Sequence, residues 1–214
     1  MNRKHTVAAG FTAVVLAATA TVAAAPGAQA APSTTDRAGT TSLAAVLAAD
    51  GHHFDKKWGD FDILDAAVMA VLKEKPKSPV AVLANGKARL TAFLPTDRAF
   101  RHLAKTLTGK RPATEKATFT ALAGAAGIDV IETVLLYHVV PGKTLGSGKV
   151  AKADGAKLTT AQGGTVTVDV RKKWIALVDA DPDLRNPRVI AVDINKGNPQ
   201  IAHAIDRVLL PIDL

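Results

Sequence analysis

Thr91 to Leu103, TAFLPTDRAFRHL, leaves this chain the fewest conformational choices. Thr91, Ala92, Phe93 and Leu94 form a short apolar run that reads as a buried strand. Pro95 ends it, because proline lacks an N–H and biases Leu94 toward extended geometry. Thr96 is placed to cap a helix, and Asp97 falls in the first turn, where an acid is favoured. Phe100 and Leu103 then recur at i and i+3 and give that helix an apolar face. The segment specifies a strand that runs directly into a helix. It contains no nucleophile, phosphate loop or metal-ligand set.

The rest of the chain changes period once. Ser42 to Ala49, Asp62 to Glu74, Asp97 to Leu107, Thr114 to Ala126 and Asp129 to Tyr137 carry helical spacing. Asp60 or Asp62 can cap the second of these, and Val130, Ile131, Val134 and Leu135 form the inward stripe of the fifth. Asn85-Gly86 lies between Val80–Leu83 and Ala88–Leu94, a spacing that predicts a two-residue hairpin. Beyond Pro141-Gly142 the period becomes two. Strands are expected at Lys157–Thr160, Thr165–Val170, Trp174–Val178, Val189–Ile194 and Ile201–Leu209, with Gln162-Gly163-Gly164 turning the first pair. Helices early and strands late predict an α+β fold with antiparallel pairing. No internal repeat is present.

Composition narrows the class. Arg3 and Lys4, the uncharged run Val7–Ala25 and Ala28-Gln29-Ala30 have the form of a secretory leader, expected over residues 1–30. Residues 31–40 read as a short linker and 41–214 as one domain. The leader takes 30 of 214 residues and leaves 184, enough for one core. With Arg3 and Lys4 gone, the formal charge of +8 falls by two, to +6. No further stretch is expected to span a bilayer, so the mature form should have no membrane segment. There is no Cys, so packing replaces disulfides. Aromatic residues are 4% of the chain, too few to interleave with a basic face as nucleic-acid binding requires, so nucleic acid is not an expected partner.

Candidate chemistry is sparse. Gly142-Lys143-Thr144 ends like a phosphate loop, but Tyr137 stands where the first glycine belongs. Gly146-Ser147-Gly148 lacks the strand-to-helix setting of a hydrolase elbow and reads as a turn. His52, His53 and Asp55 match no standard metal spacing and have no fourth ligand. Asp60/Asp62 and Asp179/Asp181/Asp183 read as caps and turns, and Asp181-Pro182-Asp183 lacks the glycine and glutamate of a calcium loop. No catalytic residue, metal ligand or cofactor is therefore assigned. His138, at a helix exit, reads either as a hydrogen-bonded interior imidazole or as an exposed contact. Asp206, in an apolar strand, must be paired or exposed.

Three segments together carry a resemblance. TAFLPTDRAF, the run Leu135–Gly142 and the run Asn198–Pro211 stand in the order of the sequence boxes of the fasciclin domain family, which this chain resembles from about Thr41 onward. Pro199 replaces a more usual glycine, and Phe54–Lys87 is longer than the minimal domain. The resemblance implies a wedge of two mostly antiparallel β-sheets with helices packed along one side. It implies a secreted, non-enzymatic protein of cell adhesion or surface interaction, expected as a monomer, with an extracellular or envelope protein or polymer as partner. In some animal members an Asp–Ile-type sequence and the Tyr-His segment are implicated in integrin adhesion. Tyr137, His138, Ile205 and Asp206 are the matching candidate contacts here. A carrier of a small apolar ligand in the cell envelope is the alternative.

Overall fold

Burial of one strand on both faces organises the structure, a computed structural model that describes residues 39–212. The expected leader and most of the linker lie outside the described residues. β1 (Leu90–Pro95) has all six residues buried. It is flanked by an antiparallel neighbour, β2 (Val139–Pro141), and a parallel one, β7 (Gln200–Ile205). β6 (Val189–Ile194) pairs antiparallel with β7 and completes the sheet order β2-β1-β7-β6. A second, antiparallel sheet has the order β3-β4-β5, from Lys157–Thr159, Thr165–Val170 and Ile175–Val178. The fold is α+β, with four- and three-stranded sheets. Every pairing is antiparallel except β1 with β7, which joins the first strand to the last.

Alternation along β1 divides the interior in two. Leu90, Ala92 and Leu94 enter a core shared with helices α1 (Leu43–Leu47), α2 (Asp62–Glu74), α3 (Asp97–Thr108) and α4 (Glu115–Tyr137). Phe93 points to the other side. There it joins Tyr137, Val140, Leu158, Val166 and Leu177 between the sheets. Thr91 lies on the Phe93 face with no solvent exposure. Its hydroxyl donates to the Lys143 carbonyl at 2.7 Å and accepts from the Leu145 N–H at 2.9 Å, so its polarity is satisfied.

Several sequence expectations change in the structure. Asn85-Gly86 does not turn a hairpin. Pro79–Ala84 is a 3₁₀ segment, begun by Pro79 and by the Ser78 hydroxyl, which accepts the Val80 N–H at 3.2 Å. Gly86 is needed for close approach instead, since a Cβ there would lie 1.8 Å from the Thr40 carbonyl oxygen. The helices expected at 114–126 and 129–137 form one element, α4, broken only by non-helical Gly127 (φ 74°, ψ 168°). Val130, expected inward, is 44% exposed. Contrary to the expectation that no further stretch could span a bilayer, α4, alone among the described helices, is long and apolar enough to do so by length and composition, because the two expected helices join into one. Here it packs against α2 and α3. Gly146-Ser147-Gly148 is the start of a short helix, α5 (Ser147–Val150), held by the Asp193 carboxylate, which accepts from the Ser147 N–H and hydroxyl, both at 2.7 Å.

The capping logic of the opening segment is also rearranged. Thr96 has extended geometry at the start of α3, but its side chain makes no cap. Asp97 turns away from its own helix and caps α2. Its carboxylate accepts the Ile63 N–H at 2.8 Å and the Asp62 N–H at 3.2 Å, a task expected of Asp60 or Asp62. The junction therefore links a strand to two helices.

Candidate functional site

Tyr137 and Ile205 meet in the core between the sheets, whereas His138 and Asp206 lie on opposite sides of β1, at the β2 and β7 ends. Tyr137 ends α4 and His138 leads into β2, while Ile205 and Asp206 sit at the end of β7. Both ends bond to the β1 region: the Phe93 N–H donates to the His138 carbonyl at 2.9 Å, and the Thr96 N–H to the Ile205 carbonyl at 3.3 Å. Tyr137, His138 and Ile205 are buried. Their side chains hold the interior and present no surface to a partner.

Each polar side chain among these residues has a named partner. Tyr137 donates its hydroxyl hydrogen to the Thr165 carbonyl at 2.8 Å. Gly164 packs close beside it, where a Cβ would meet the ring edge at 3.0 Å. His138 Nδ1 lies 2.7 Å from the Val134 carbonyl, and its Nε2 accepts the Leu209 N–H at 2.9 Å. This pattern requires the neutral imidazole with its proton on Nδ1. Burial pushes the His138 pKa down to about 4, against a smaller opposite pull from the Val134 carbonyl. Asp206 is half-buried. Its carboxylate accepts the Arg188 N–H at 2.7 Å, and its own N–H donates to the Arg188 carbonyl at 3.0 Å, which clamps β7 to β6. His203 has no distinguishing signal in the sequence, yet it is fully buried with Nε2 2.8 Å from the Leu145 carbonyl. Its position on the Phe93 face follows from the parallel register, which pairs Phe93 with His203.

Two features lie elsewhere. An apolar groove of about 190 Å³ runs between α3, α4 and the C-terminal segment, walled by Phe100, Phe119, Leu122, Ile131 and Leu210. Leu107, Val130 and Ile212 form its open rim. The second feature is acidic. Asp55, Asp60, Asp62 and Glu115 each offer a carboxylate oxygen within 4.8 Å of the others, and Asp97 adjoins Asp60. Burial pushes Asp97 well above the usual carboxylate range, and the Asp60 carboxyl beside it adds to the rise. Burial, followed by the charges of Asp62, Asp55 and Asp60, raises Glu115 to about 7, while the Asp55 N–H pulls the other way. The sequence pattern of Asp60 and Asp62 is that of surface caps. Asp62 is in fact buried. Glu115 has no sequence signal linking it to them, because the link is the packing of α4 on α2. His52, grouped with Asp55 in the sequence, instead bonds Asp65 at 2.6 Å. The third acidic group resolves as a turn, with Asp181 accepting the Asp183 and Leu184 N–H groups at 2.9 and 2.7 Å.

Comparison with known proteins bears on the whole arrangement. No curated protein sequence matches the chain. Among solved structures, the chain is similar to a FAS1 domain pair from the insect cell adhesion molecule fasciclin I, at 17% identity and a TM-score of 0.48. That match covers 69% of this chain and 47% of the other, so the chain spans about half the length of that structure. The family model for the fasciclin domain matches residues 67–211, which is more than half of the sequence and includes β1, the Tyr-His exit and β7. The chain belongs to the fasciclin domain family.

Proposed function

We propose that this fasciclin-domain protein is exported and acts without catalysis, as an adhesion or surface-interaction module for an extracellular or envelope protein or polymer. The observation that carries this reading is an apolar strip at the free edge of the four-stranded sheet. Ile190 is 57% exposed, Val192 49% and Trp174 41%. Ile190, Ala191 and Val192 are all exposed along β6, whose pairing with β7 is irregular on both sides of Ala191. The Ala176–Arg188 bridge brings β5 beside the start of β6, and the Arg188 guanidinium sits 4.3 Å from the Trp174 ring. Exposed apolar side chains grouped with a Trp–Arg pair are the composition of protein contact surfaces. An edge strand also offers unpaired backbone groups to an incoming chain.

The test is retention. Beads carrying the mature protein should hold intact cells or isolated envelope of its own source. The variant Trp174→Ala/Ile190→Lys/Val192→Lys should lose that retention with an unchanged melting curve. Equal retention by the variant would remove this surface from the reading. Export is tested separately by N-terminal sequencing of protein from culture fluid, which should begin at Ala31.

The apolar groove favours a second reading, carriage of a small apolar ligand. Its volume of about 190 Å³ falls below the roughly 300–1,000 Å³ common for ligand pockets, which places this reading second. Native mass spectrometry of protein purified from its source decides it: a stoichiometric added mass supports carriage, and the bare chain mass counts against it.

A further inference from the structure

Two helices begin at one point, and four carboxylates gather there. Asp62 is the first residue of α2 and Glu115 the first of α4. The loop leading into α2 adds Asp55 and Asp60. The Asp55 N–H is shared between the Asp62 carboxylate at 3.1 Å and the Glu115 carboxylate at 2.7 Å. Lys57 meets Asp55 at 3.0 Å, with its own side chain 75% exposed. Each helix N-terminus supplies about half a positive charge. Both termini therefore draw negative charge to this point.

Helix capping alone would explain acids at two N-termini, but it does not explain Glu115. Its side chain is fully buried, and Oε1 has no hydrogen-bond partner even though Oε2 is engaged. A buried carboxylate oxygen without a donor is costly unless something else meets it. A proton is one candidate and a cation the other. The geometry fits a cation. Opposite ligands of Ca²⁺ at about 2.4 Å stand about 4.8 Å apart, so oxygens all within 4.8 Å of each other can share one coordination sphere. Mg²⁺ keeps several of its waters and takes only one or two carboxylates, so a set of four carboxylates suits Ca²⁺ better. The donors are oxygens without nitrogen or sulfur, which disfavours zinc and copper.

We propose that Asp55, Asp60, Asp62 and Glu115 bind a hard divalent cation of the calcium class, which ties the loop at 55–61 to the starts of α2 and α4. The site is independent of the β6 strip and of the groove. It gives the long segment before β1 a structural purpose, because the ion would anchor loop and helices where packing leaves like charges together.

The experiment uses the full mature chain, stripped with a chelator and dialysed, and titrated with CaCl₂ alone. Calorimetry should show one site. At Ca²⁺ about 100-fold above Kd, the melting temperature should rise by roughly 5–10 °C. Mg²⁺ should give a smaller shift. Glu115→Gln should weaken Ca²⁺ binding at least about tenfold and remove the shift, whereas the exposed Glu74→Gln should keep both. If Glu115→Gln fails to fold, Asp55→Asn at the half-buried rim serves in its place. Absence of heat and of any shift at about 10 mM Ca²⁺, well above the range of weak extracellular sites, would overturn the site and leave protons as the compensating charge. So would an undiminished shift in the carboxylate variants, or a response to Zn²⁺ alone.

Discussion

The His138 junction and the Asp55–Glu115 cluster both bury polar side chains, and they handle burial in opposite ways. At His138 a single titratable group meets one carbonyl and one N–H and stays neutral. The donor and acceptor counts match, so the site needs nothing from outside. At the cluster, four carboxylates crowd together, and Glu115 Oε1 is left without a donor. A closed polar site of the first kind stabilises a fold. An open one of the second kind creates an affinity. The residues that looked most like a binding site in the sequence are the closed kind. Asp60 and Asp62, which read as ordinary caps, belong to the open kind.

The comparison predicts a large effect first. His138→Ala leaves the Leu209 N–H and the Val134 carbonyl buried without partners, each at about 1–3 kcal/mol, so unfolding free energy should drop by roughly 3–5 kcal/mol in denaturant titration. A drop below about 1 kcal/mol would mean that the junction is not closed as described.

Acid should act on the same residue. The folded pKa of about 4 lies below the unfolded value of 6.5. Between those values the unfolded chain binds a proton that the folded chain refuses. The stability from His138 is therefore complete above about pH 6.5 and is lost as pH falls toward 4, about 3 kcal/mol in all. The urea midpoint of wild type should decline through that window more steeply than that of His138→Gln. Parallel declines would assign the acid sensitivity to other groups.

The cluster should behave in the opposite sense. In chelator, Glu115→Gln removes one of several crowded charges and keeps the shape of the side chain. Its stability at pH 8 should stay within about 1 kcal/mol of wild type, or exceed it. A loss as large as that of His138→Ala would show that Glu115 is a closed structural group after all. The smallest effect belongs to the exposed strip, where Ile190→Lys/Val192→Lys should change stability by at most about 0.5 kcal/mol while abolishing surface retention.

Much of the fold could be read locally. Helices α2 and α3, the hairpin β3–β4 and strand β1 lie close to their expected positions, because amphipathic period and turn chemistry act over a few residues. The failures share a cause. The Asn85-Gly86 pair has a hairpin signature, yet the contact that requires glycine there is with Thr40, in a distant part of the chain. The Asp97 signature is that of a first-turn acid, yet its carboxylate caps a helix that starts 35 residues earlier. Val130 fits an inward stripe, but the Gly127 break turns it toward the open rim of the groove.

The sequence by itself determined the class of structure, through the strand-to-helix segment Thr91–Leu103 and the two later boxes that identify the family. These signals are local, and local hydrogen bonding and apolar periodicity are what they encode. Only the tertiary structure decided which polar residues are open to a ligand. It put β7 in parallel register beside β1, which enclosed Ile205 and His203. It also packed α4 on α2, which carried Glu115 to Asp55, Asp60 and Asp62. Burial and charge crowding are properties of neighbours in space, and the β1–β7 and Glu115 contacts join residues more than 50 positions apart along the chain.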